Sequence, residues 1–180
     1  MDFIVEDQHF SFDDTKWVVL KYDDETAYRE RIHKLSGTAA VDFVGAHSGN
    51  LYLIEVKDFR EYRIENQKRL TSGELAIESG QKVRDTIAGI IGAYRTSDSQ
   101  KWDGFAKTLI AINKVVKVVV WVEYDLPSYD KARKKVLAFI QTNVYKQKLS
   151  WLTSQVLIAN QANNAVPDLV VRNLPRLPQS

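Results

Sequence analysis

Val41-Asp42-Phe43-Val44 and, across a short turn, Leu51-Tyr52-Leu53-Ile54-Glu55-Val56-Lys57 are two apolar runs that carry an Asp, a Glu and a Lys where core strands would carry Val or Leu. Side chains alternate between the faces of a strand, so Leu51, Leu53, Glu55 and Lys57 share one face and Tyr52, Ile54 and Val56 the other. Asp42 likewise shares a face with Ala40 and Val44. The turn at His47-Ser48-Gly49-Asn50 is short enough to fold the runs into a hairpin. Pairing in register brings Asp42 to Glu55 and Lys57. Alternating charges on an exposed strand are ordinary solvated pairs. The flanking Leu51, Leu53, Ile54 and Val56 instead predict a strand buried on both faces.

Two carboxylates held together in apolar surroundings repel each other and lose hydration, at a cost on the order of several kcal/mol unless a cation neutralises them. A divalent cation does so economically. Mg²⁺, with Mn²⁺ as its substitute, takes one or two carboxylates and completes its shell with waters and substrate phosphate, which leaves an ammonium to steer a water.

An Asp near the end of one strand, then Glu-x-Lys in the next, resembles the PD-(D/E)XK nuclease superfamily. The thirteen residues from Asp42 to Glu55 lie within the family's usual range, and Leu-Ile-Glu-Val-Lys is similar to its second motif strand. The resemblance is local, covering about residues 24 to 97, and Val41 stands where the family often has Pro. A literal Pro167-Asp168 occurs later, but no Glu-x-Lys follows it in the chain.

A chain of 180 residues suits one domain. Its 44% hydrophobic and 27% charged residues are ordinary for a globular protein. The absence of Cys excludes a disulfide scaffold, a thiol nucleophile and a Cys-based zinc site. The first residues lack a signal-peptide pattern and no stretch has transmembrane length, so the expectation is a cytoplasmic protein without a membrane partner. A net charge of +2 leaves attraction to phosphate to local patches.

Outward from the hairpin, Trp17-Val18-Val19-Leu20 predicts a strand, and Asp23-Asp24 offers an N-cap to a helix over 25–35, with Tyr28, Ile32 and Leu35 at helical spacing. Residues 60–70 are expected to supply a third strand. A long helix follows over 74–94, striped by Val83, Ile87, Ile90, Ile91 and Tyr94, with Gly89 and Gly92 either weakening it or permitting close packing. Val115–Tyr124 reads as a buried strand parallel to a motif strand, with the long helix as crossover. A helix over 129–148, a strand over 155–159 and an extended arm over 161–180 close the chain. The fold class is therefore α/β, a mixed central sheet flanked by helices, in one domain with its core at about 24–160. This order agrees with the αβββαβ, restriction-endonuclease-like core that the resemblance implies.

The resemblance further implies a Mg²⁺-dependent nuclease acting on DNA and leaving 5′-phosphates. Asp42 and Glu55 would hold the metal with the Val56 carbonyl, and Lys57 would orient or help deprotonate water. Members often carry another acid on the first helix. A strand of about five residues spans roughly 16 Å, and a helix needs about eleven residues to travel back that far, which favours Glu25 over Glu30. Gln81 resembles an element that assists the site in some groups, while Lys82 and Arg84 are candidates for phosphate contact. Lys131, Lys134 and Lys135 lie in a segment with a local excess of five positive charges and form a weak electrostatic patch. Duplex, single-stranded and branched DNA and RNA all stay open as substrates, as does a homodimer. The competing expectations are a catalytically silent nuclease fold that binds nucleic acid or a protein partner, and an interaction domain with Trp102 and Trp151 as exposed contacts.

Overall fold

Both residues of the hairpin turn have positive φ, 49° at Ser48 and 75° at Gly49, the I′ geometry whose twist matches that of the flanking strands. It joins β4 (Phe43–His47) to β5 (Asn50–Asp58), antiparallel from Phe43↔Ile54 to His47↔Asn50. The structure is a computed structural model and describes residues 1–60, 73–96, 100–124 and 142–175. All but residue 60 of the third strand expected over 60–70 and most of the helix expected over 129–148, with Lys131, Lys134 and Lys135, lie outside these residues; 142–149 are helical.

After the hairpin, α2 (Glu74–Thr96) and α3 (Lys101–Ile110) lead into β6 (Val116–Glu123), which pairs parallel with β5. The Val-rich run forms this central strand as its composition predicts. β3 (Trp17–Lys21) flanks β4, and β7 (Val156–Ala159) lies parallel to β6. Among the described residues the result is a mixed five-stranded sheet in the order β3-β4-β5-β6-β7. Leu51 and Leu53 pack on the helix side with Leu75, Val83 and Ile90 of α2 and Trp102 and Phe105 of α3. Tyr52, Ile54 and Val56 pack on the opposite side, so β5 is buried on both faces.

That opposite side is covered by a second sheet. Among the described residues β1 (Asp2–Val5), β2 (Gln8–Phe12) and β8 (Leu169–Asn173) form a three-stranded antiparallel sheet. Its Phe10 stacks against Phe43 at 5.2 Å and Trp121 at 5.6 Å between ring centroids. The architecture is thus mixed α/β, with helices on one face of the central sheet and a small sheet on the other. Residues 169–173, expected within an extended arm, pair with β2 instead.

Two further expectations are corrected. The first helix is only α1 (Thr26–Arg29), between 3₁₀ turns at Tyr22–Asp24 and Ile32–Lys34. The Thr38 hydroxyl donates to the Ile32 and Leu35 carbonyls at 2.8 and 2.9 Å, and Leu35 is exposed, so its apolar spacing serves no buried stripe. Trp102 is buried in the helix layer, whereas Trp151 is exposed. Among the described residues no helix is long and apolar enough to cross a membrane.

Candidate active site

The β4–β5 ladder ends at Phe43↔Ile54, and one residue earlier the Asp42 side chain replaces it. The Val56 N–H donates to Asp42 Oδ2 at 2.7 Å. The N–H groups of Leu51 and Phe59 reach carbonyls beside and in β6, Val115 and Glu123, at 2.9 and 2.7 Å. Alternation along the strand therefore turns the backbone groups of Val56 and Asp58 toward the side that β4 has vacated. The Asp58 N–H there donates to Glu6 Oε2 at 2.6 Å. The Val56 carbonyl lies on the same edge, between two N–H groups capped by carboxylates.

Asp42 is fixed from three directions. Its carbonyl accepts the Tyr22 N–H at 2.7 Å. The Val41 N–H donates to Thr86 Oγ1 and the Ala39 N–H to Asp85 Oδ2, both at 3.1 Å. α2 thus holds the approach to β4 through side chains that replace strand pairing.

Glu55 is fully buried and faces α2. Its Oε1 receives Lys82 Nζ at 2.7 Å and Lys57 Nζ at 3.1 Å, and Lys57 also reaches Glu78 Oε1 at 2.7 Å. Its Oε2 is buried and has no hydrogen-bond partner among the described residues. Burial, then repulsion from Asp42, pushes the Glu55 carboxyl up to about 7 against the pull of Lys82 and Lys57. Burial also raises Asp42, opposed by the Val56 N–H and Lys82. Burial works against the Lys57 ammonium, but Glu55 and Glu78 outweigh it and raise its pKa.

The structure brings Asp42, Glu55, Val56, Lys57 and Lys82 together. Glu25 is instead engaged by Lys101 of α3, and Glu30 is exposed at the end of α1. Gln81 is exposed, and Arg84, also exposed, pairs with Asp85 at 2.8 Å. The acid that the first helical segment brings into the field of Asp42 is Asp23, raised first by burial, with Oδ1 buried and unpartnered among the described residues. Asp23 caps no helix through its side chain.

Glu6, Glu78 and Tyr145 are further neighbours that the sequence reading missed. Burial pushes the Tyr145 phenol up to about 12, within the field of Glu55, Lys57 and Glu78. A signal existed for the helix: Glu78, Lys82 and Asp85 stand at i, i+4 and i+7, a polar stripe on one face of an otherwise core-packed helix. Nothing in the sequence marked Glu6, whose turn reaches β5 only through the second sheet.

No family model matches this chain and no solved structure matches it. A cysteine-tRNA ligase of Neisseria meningitidis serogroup A is 28% identical over 91 residues, 49% of this chain and 13% of the ligase. The chain therefore spans only a small part of that protein.

Proposed function

We propose that the chain is a divalent-cation-dependent nuclease with a restriction-endonuclease-like core, hydrolysing phosphodiester bonds of nucleic acid, with DNA as the first substrate class. The observation that supports this most is the pairing of half-buried Asp42 with buried Glu55, with Glu55 Oε2 left unpartnered among the described residues while Lys57 stands at Oε1.

The residues fit a cation such as Mg²⁺ or Mn²⁺. No group of three or more acidic, His or Cys side chains among the described residues is arranged to hold a metal. Two carboxylates and the Val56 carbonyl are nonetheless a sufficient protein share for an ion that keeps several waters and takes phosphate oxygens. When bound, such an ion supplies Lewis-acid stabilisation of the charge developing on the phosphoryl group. Asp42 and Glu55 would hold it. Lys57, kept charged by Glu55 and Glu78, would act as a hydrogen-bond donor that orients the attacking water. The Val56 N–H on Asp42 Oδ2 leaves Oδ1 to turn toward the cation. Asp85 and Thr86 maintain the separation of the two carboxylates by holding the backbone before Asp42.

The test is cleavage of plasmid, single-stranded and branched DNA with Mg²⁺ and with EDTA. The partial likeness to a tRNA ligase adds transfer RNA to the substrates offered. Cutting is expected to need the cation and to fall by about 10²-fold or more in Asp42→Ala; unchanged cutting by that variant overturns the catalytic assignment.

One observation favours a second reading. Lys57 and Lys82 already neutralise Glu55 without an ion, as befits a silent fold that binds nucleic acid or a protein partner. Equal binding with and without EDTA, with no cleavage of any substrate, would support that reading instead.

A further inference from the structure

Lys82 stands at an unusual place for a phosphate-binding residue. Its Nζ lies 2.7 Å from Glu55 Oε1, nearer than Lys57 at 3.1 Å. Its charge also acts on Asp42, and on both carboxylates it acts more strongly than Lys57. Lys57 is shared with Glu78, so Lys82 is the ammonium that serves the Asp42–Glu55 pair most directly. Its side chain is 20% exposed, so the ammonium is not sealed in the core.

We propose that Lys82 is a tethered counter-ion, held on Glu55 Oε1 as its counter-charge until a divalent cation displaces it onto a substrate phosphate. This rests on the metal-site reading above. A divalent ion brings two charges to the carboxylates where Lys82 brings one, so the exchange is favoured electrostatically. The released ammonium keeps its long flexible stem and three donors, suited to a phosphate as a point charge. Displacement also couples the ligands: a phosphate that draws Lys82 outward raises cation affinity, and the cation raises phosphate affinity by the same factor.

The test is calorimetric titration of Ca²⁺, without nucleic acid, into wild type, Lys82→Met and Glu55→Gln, at matched and stepwise more alkaline pH. Glu55→Gln is expected to lose binding. Lys82→Met, relieved of its internal competitor, is expected to bind about five- to tenfold more tightly. Binding that depends on Glu55 but is equal or weaker in folded Lys82→Met overturns this inference alone. No Glu55-dependent binding in wild type overturns the metal-site reading with it. A second measurement needs no variant: amine acetylation of Lys82, followed by peptide mass spectrometry, should be several-fold faster with saturating Ca²⁺. An unchanged rate in calcium-bound wild type overturns displacement.

Discussion

Glu55 is where burial and charge meet most sharply. Its carboxyl titrates at about 7 in the folded protein against an ordinary 4.5, so the folded state holds a proton that the unfolded chain releases earlier. Stability on this account is greatest below about pH 4.5 and falls as the pH rises toward 7, the reverse of a salt-bridged acid with a depressed pKa. Glu55→Gln removes that dependence. Urea unfolding in cation-free buffer should show the variant gaining about 3 kcal/mol relative to wild type between about pH 4.5 and 8. A constant difference across that range would contradict the assignment. At this scale Asp42, Glu55 and Lys57 were legible, because strand alternation and a short turn are local rules. Lys82 was legible only as a cation on the right helix; its ion pair with Glu55 depends on how α2 is seated. Asp23 was misread as a cap, since its approach to Asp42 is tertiary.

α2 positions much of the site. Its Lys82 meets Glu55, its Glu78 meets Lys57, and its Asp85 and Thr86 hold the residues before Asp42. One turn further, Gly89 lets the buried Tyr22 ring come close: a Cβ there would lie 2.1 Å from the Tyr22 hydroxyl. Tyr22 in turn donates its N–H to the Asp42 carbonyl, so helix packing and site geometry share a residue. Gly89→Ala is expected to destabilise the protein by about 2–4 kcal/mol in denaturant unfolding. Adding Tyr22→Phe, which removes the clashing oxygen, should recover part of the loss. Additive losses would mean that the contact does not limit packing. The long helix and parallel β6 were readable from period and composition. The short α1 and the unanticipated α3 were not, because helical spacing of apolar residues does not show whether their face finds a partner.

At the scale of the molecule, the second sheet lay furthest from a sequence reading. It joins residues 8–12 to 169–173, a pairing set by the aromatic face it covers rather than by any neighbouring pattern. It also delivers the Glu6 carboxylate to the open edge of β5, next to the Val56 carbonyl. On the proposed function, this assembly presents Asp42 and Glu55 to a divalent cation for phosphodiester hydrolysis. The direct measurement is calorimetric titration of Mg²⁺ and Mn²⁺ into wild type and Glu55→Ala, with cleavage of plasmid, single-stranded and branched DNA followed in parallel. Saturable binding and cleavage are expected in wild type, both lost in the variant. Wild type that binds neither ion, even with DNA present, would contradict the proposed function and leave Asp42, Glu55 and Lys57 as charges on a decorated strand.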